Sequence, residues 1–146
     1  MPTQPRKRNP RQWIEGNLRL VQRFFEECWN NGNVALLDEL LAPNHAHHLA
    51  GNDLGLAQVK NLITSARVSF PDLHLTLDDV IVAGDKIICR WTIKGTNTGA
   101  FGNNPPTGKQ VVYTGIDIVR CADNRIVEVW SEYDAAGLER QLQSTP

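Results

Sequence analysis

The hydrophobic period changes once along this chain, from a helical repeat before Pro71 to an alternation of two after it, and that switch constrains the fold more than any other feature. Ile14, Leu18, Val21, Phe25 and Cys28 recur at intervals of four and three, flanked by Trp13, Leu20, Phe24 and Trp29. This places one wide apolar stripe on a helix that begins after Asn9. Asn30-Asn31-Gly32-Asn33 supplies its stop. Val34 to Leu41 predicts a short second helix ending before Pro43, and Gly55 to Phe70 a third, carrying Leu56, Val59, Leu62, Ile63 and Ala66. Beyond Pro71, Leu73, Leu75 and Leu77 alternate with polar residues, and Val80 to Ala83 continues that strand to a turn at Gly84-Asp85. Ile87 to Gly95 reads as its partner. Thr96 to Lys109, rich in Gly and Pro, reads as a long loop. Val111 to Arg120 and Arg125 to Tyr133 are two more strands about a turn at Ala122-Asp123-Asn124, and Ala135 to Leu142 a closing helix. Helices first and an antiparallel meander afterwards predict an α+β fold. A strongly twisted sheet with helices across one face forms a cone whose mouth can hold a pocket.

At 146 residues the chain has room for one domain, expected over residues 11–146, behind a basic, disordered tail over residues 1–10. Arg6, Lys7, Arg8 and Arg11 put four positive charges at the start and leave 11 basic against 16 acidic residues in the remainder. That acidic body argues against nucleic acid as a partner. The longest uninterrupted apolar runs are four residues, too short for a membrane span, so a cytoplasmic protein without membrane contact is expected. Cys28, Cys89 and Cys121 lie inside apolar patterns without zinc-ligand spacing and read as small core hydrophobes.

Phosphate-loop, dinucleotide, zinc-protease and serine-hydrolase motifs are missing. His45-Ala46-His47-His48 is the conspicuous cluster. No carboxylate or cysteine at ligand spacing accompanies it, so metal is not expected. It reads as a capping or surface segment leading into the third helix, or as a source of one imidazole entering a pocket. Asp117 lies within the apolar strand Thr114 to Val119, on the face of Tyr113, Gly115 and Val119. It points either to solvent or into the cavity, where desolvation raises its pKa and equips it for acid/base work. On the last strand Val127, Val129, Ser131 and Tyr133 share one face, and Glu128, Trp130 and Glu132 the other, and either face can look inward. Ser131 suits orientation of a ligand or water better than nucleophilic attack. Trp29, Trp91, Trp130 and Phe101 read first as core or interface.

From about Leu18 to Leu142 the chain resembles the SnoaL-like polyketide cyclases, within the NTF2-like group of cone-shaped α+β folds. The resemblance rests on Trp29-Asn30-Asn31-Gly32, Phe70-Pro71-Asp72-Leu73, Arg90-Trp91-Thr92, and Gly95-Thr96-Asn97-Thr98-Gly99. It continues through Pro105-Pro106-Thr107-Gly108-Lys109 and Ile126-Val127-Glu128-Val129-Trp130 to Asp134, Gly137-Leu138 and Gln141-Leu142. It implies an aldol ring closure on a polyketide ester without metal or organic cofactor, with one aspartate as acid/base. That aspartate's position falls on Ser131, three residues before Asp134, so the role passes to Asp117 or Glu132. Trp29, His47 and Asp117 fall at pocket-lining positions.

Two functions follow as expectations. One is a cofactor-free cyclase, isomerase or hydratase acting on a small, largely apolar carbonyl compound. In it Asp117 moves the proton, His47 polarises or relays, Ser131 and Tyr113 orient, and Trp29 packs the ligand. The other is a binding or accessory domain without turnover. In either case a sheet face bearing Trp130 or Trp91 favours a homodimer.

Overall fold

The structure, a computed structural model, describes residues 9–143. The expected tail lies outside these residues except at its end, where Asn9 and Pro10 already belong to a helix start. The Asn9 side chain accepts the Arg11 N–H (3.1 Å), and Pro10 fills a position that needs no donor. Helix α1 runs Pro10–Arg23, and the chain then widens into a π-helical segment, Phe24–Asn30. A 3-10 turn (Val34–Leu36) and the single-turn α2 (Leu37–Leu40) follow. Next come β1 (Leu41–Leu49), β2 (Asn52–Leu54) and α3 (Leu56–Ser69). Then β3 (His74–Ala83), β4 (Lys86–Thr96), β5 (Gln110–Ala122), β6 (Arg125–Tyr133) and α4 (Ala135–Gln143) complete the fold.

The six strands form one open mixed sheet in the order β2-β1-β6-β5-β4-β3. The meander β3 to β6 is antiparallel, as its period and turns require. Strand β1 joins it parallel to β6. This corrects the reading of His45 to His48 as a capping or surface segment: they are consecutive members of a strand, and the second helix stops at Leu40. A β-bulge corrects a second expectation. The β5–β6 register slips between Arg120 and Cys121, so Ile126 rather than Val127 is fully buried, while Val129 and Ser131 keep the inward face.

The core lies between the helices and the concave face of the sheet. Phe24, Cys28, Leu37, Leu40, Val59, Ile63 and Phe70 meet Ile87, Cys89, Ile93, Val119, Cys121 and Val129 there. All three cysteines are buried and free. The segment from 97 to 109 is a braced connection rather than a slack one. Asn97 Nδ2 donates to the Gly99 carbonyl (2.8 Å), and Asn97 Oδ1 accepts the Thr107 N–H (2.8 Å) and hydroxyl (2.9 Å). Ser69 donates its hydroxyl to the Ala100 carbonyl (2.7 Å), fastening the loop to the end of α3.

Candidate active site

Strand register sets the inward side chains in rows. Leu49, Ser131, Asp117 and Cys89 are successive partners across β1, β6, β5 and β4. The next row is Tyr133, Gly115 and Trp91, and His47 stands beside Val129 one step the other way. Above these rows the π-helical turn presents Phe25 and Trp29, and α3 presents Leu62, Ser65, Ala66 and Ser69. The widened turn is pinned to the sheet edge: Asn30 Nδ2 donates to the Leu75 carbonyl (2.9 Å) and its Oδ1 accepts the Leu75 N–H (2.7 Å). Arg67 holds the Trp29 carbonyl (2.9 Å).

Between these walls lies a cavity of about 270 Å³ lined mainly by aromatic and aliphatic side chains. Trp29, His47, Tyr113, Asp117 and Ser131 all line it. Trp91, Tyr133, Phe101, Phe25 and Leu49 line it too and were not assigned to a ligand from the sequence. Trp91 was legible only as core or interface, although its place opposite Gly115 in the pairing of β4 with β5 is what turns its ring over the cavity floor. A larger space of about 480 Å³ lies beyond, between the 97–109 segment and α4, and Phe101, Tyr133 and Leu138 form the wall between the two.

Asp117 is 4% exposed and turned inward, which settles the choice left open by its sequence position. Its Oδ1 accepts the Ser131 hydroxyl (2.6 Å) and the Trp91 Nε1–H (3.1 Å). Burial pushes its pKa from 3.8 up to about 6, against the pull of those two hydrogen bonds. Among the described residues no lysine or arginine lines the cavity, so none of them offsets that desolvation.

The histidine run divides by strand parity. His47 enters the cavity, 2% exposed, and its Nδ1 has no hydrogen-bond partner. Burial, followed by the neighbouring His45 and His48, lowers its pKa from 6.5 to about 4, so the ring is neutral near pH 7. His45 is buried beside it, ring centroids 5.9 Å apart, with Nδ1 on the Ile126 carbonyl (3.2 Å). Among the described residues no group of three His, Cys, Asp or Glu side chains is placed to hold a metal. His48 faces the other side of the sheet, between Asp53 (2.6 Å) and Glu128 (2.7 Å) and over the ring of Trp130 (5.6 Å).

Two expectations about faces need correction. Trp91 is 5% exposed on the concave face, because it shares parity with Cys89 and Ile93, and so contributes nothing to an outer surface. Glu132 is exposed on the convex face and is turned away from the cavity, so it is no substitute for an acid at Ser131. Trp130 does lie on the convex face, with Ile116 exposed diagonally across the pairing of β5 with β6 and Val112 exposed further along β5.

Among the described residues no helix is long and apolar enough to cross a membrane. None of the curated proteins compared with the chain matches it. Solved structures do. A candidate SnoaL-like polyketide cyclase from Jannaschia sp. CCS1 superposes with a TM-score of 0.84 over 97% of this chain and 100% of that one, at 22% identity, a likeness of fold. TsrD from Streptomyces laurentii is 30% identical with a TM-score of 0.80, covering 94% of this chain and all of that one. IdmH from Streptomyces antibioticus, a candidate polyketide cyclase, is 27% identical with a TM-score of 0.78, covering 88% and 99%. The family model for SnoaL-like polyketide cyclases matches residues 19–142, nearly the whole described chain, and with the open cone and its aromatic cavity this shows that the protein belongs to the SnoaL-like polyketide cyclase family.

Proposed function

We propose that this protein is a cofactor-free acid/base enzyme, of cyclase, isomerase or hydratase type, acting on a small, largely apolar carbonyl compound. The observation that carries the proposal is Asp117: a carboxyl group at the floor of an apolar cavity, with a pKa of about 6 and no counter-cation among the described residues. Near neutral pH such a group is ionised in most molecules, yet protonates readily, which suits transfer in both directions. In a ring closure, Asp117 takes the proton from a carbon beside a carbonyl. The electron pair left behind forms the new carbon–carbon bond at a second carbonyl, and the oxygen of that carbonyl takes the proton back. His47, neutral at this pH, donates one N–H to a carbonyl oxygen, while Tyr113, Ser131 and Trp29 fix the position of the ring. The absence of cations favours uncharged substrates. IdmH, the candidate polyketide cyclase named above, supports a small-molecule role without naming the substrate.

The test is binding and turnover of a panel of mono- and bicyclic 1,3-dicarbonyl esters, with Asp117→Asn beside the wild type. Loss of turnover with retained binding supports the proposal. Binding by both proteins without turnover by either makes this a binding domain.

The same proposal includes a cytoplasmic setting and a homodimer formed through the convex face of β4, β5 and β6. There Ile116, 49% exposed, lies diagonal to Trp130, and Val112, 47% exposed, lies further along β5.

A further inference from the structure

The two hydrogen bonds to Asp117 are unequally shared, and the inequality has chemical content. Both fall on Oδ1: the Ser131 hydroxyl from β6 (2.6 Å) and the Trp91 indole N–H from β4 (3.1 Å). These donors come from the strands on either side of β5, so they grip the carboxylate from both flanks and fix its plane. No donor among the described residues reaches Oδ2, and Oδ2 is not among their sealed, unpartnered side-chain atoms, which are Asn17 Nδ2, His45 Nε2 and His47 Nδ1. It is the oxygen left to the cavity that Asp117 lines.

We infer that Ser131 and Trp91 are positioning residues, which hold Oδ1 of Asp117 and so make Oδ2 the oxygen that exchanges a proton with the ligand. The inference rests on Asp117 as the acid/base of the proposed function and extends it to the two residues that aim it. A hydroxyl has one proton and an indole one N–H, and here both are spent on the same oxygen. A proton added to Oδ1 would have to displace them, so it settles on Oδ2. In the transfer itself a C–H or O–H bond of the ligand breaks, its electron pair stays on the ligand, and one O–H bond forms at Oδ2; the return step reverses this. Ser131, its proton committed to Asp117, meets the ligand only as an acceptor.

Other titratable side chains around this carboxyl are His47 on β1, Cys89 directly opposite on β4, Tyr113 on β5 and Tyr133 on β6. The helical walls of the cavity contribute none. Burial pushes the Cys89 thiol up to about 12 and raises Tyr113 as well, so both stay neutral where Asp117 titrates.

The experiment is a carbon-13 carboxyl titration of the full-length protein without ligand, with Asp117 assigned by its loss in Asp117→Asn, in the wild type, Ser131→Ala, Ser131→Thr and Trp91→Phe. Loss of a hydroxyl donor to the charged form should raise the Asp117 midpoint by about one pH unit in Ser131→Ala, and threonine should restore it. Trp91→Phe should raise it by less. Isotope-edited infrared spectroscopy of the protonated acid then locates the proton. With the proton on Oδ2, the C=O group is the doubly bonded Oδ1, and its stretch moves to higher frequency in Ser131→Ala. A midpoint and a stretch unchanged in Ser131→Ala overturn the inference. Should the alanine variant fail to fold, Ser131→Cys, which weakens the donor at similar size, must show the same direction in both signals. None of these readings needs turnover. An active Asp117→Asn would thus remove the acid/base role, while the titration still decides whether Ser131 and Trp91 hold the carboxylate.

Discussion

The indole of Trp91 occupies the space that a side chain at Gly115 would need: a Cβ there would overlap the Trp91 ring. The two residues are direct partners across β4 and β5, and Asp117 is two positions further along the same face. Gly115 thereby lets the ring lie across the cavity floor with its N–H at Asp117. Gly115→Ala is expected to cost about 2 kcal/mol in urea unfolding, through overpacking. It should also raise the Asp117 midpoint as the indole is pushed off. Wild-type stability in that variant would show that the ring has another place to go.

Replacing the acid separates chemistry from folding. Asp117→Asn keeps an oxygen for the Ser131 and Trp91 donors, so the fold should survive, while any turnover falls by about 100-fold or more. A variant with full activity would exclude Asp117 as the proton carrier.

Asp117 and His47 leave opposite marks on stability as a function of pH. Between 3.8 and about 6 the unfolded chain has released the Asp117 proton that the folded chain retains, so this group's contribution falls as pH rises through that window. Between about 4 and 6.5 the unfolded chain carries a His47 proton that the folded chain excludes, so that contribution rises with pH. The windows nearly coincide and the two slopes offset each other. Denaturant unfolding from pH 3.5 to 7.5 should show Asp117→Asn gaining on the wild type by about 3 kcal/mol as pH rises, and His47→Gln losing a similar amount. Curves parallel to the wild type in both variants would mean that neither group changes its pKa on folding.

The proposed homodimer would form through the convex face. Light scattering at micromolar concentration should give a dimer for the wild type and a 16.3 kDa monomer for Ile116→Lys, whose charge would have to be buried against its copy. A monomeric wild type would leave Val112, Ile116 and Trp130 without the partner assigned to them.

The helices and the four-strand meander follow directly from the residues, because each carries its own period and its own stop. The same alternation shows which residues share a face with Asp117 and with Ser131, but not which face looks inward, because that is decided by the helices packed across the sheet. Strand β1 was hidden because its partner, β6, lies some 80 residues away and because Pro43, Asn44 and three histidines give it no apolar signature. The alternation of His45, His47 and Leu49 against Asn44, Ala46 and His48 was the available signal, and only the parallel pairing makes sense of it. Val127 was misplaced because a bulge inserts one residue without a mark in composition. The π-helical turn that brings Trp29 to the cavity has the apolar spacing of an ordinary helix, so its widening was not readable either.

The cross-strand pairing of Asp117 with Ser131 makes the two positions near-equivalent in space. They stand on adjacent strands as direct partners and face the same cavity. A carboxylate carried by either strand would therefore reach the same region of the cavity, with the hydroxyl beside it. The reciprocal exchange Asp117→Ser with Ser131→Asp should then retain activity that Asp117→Ser alone loses. What the sheet specifies is a place on its concave face, which two neighbouring strands can both reach.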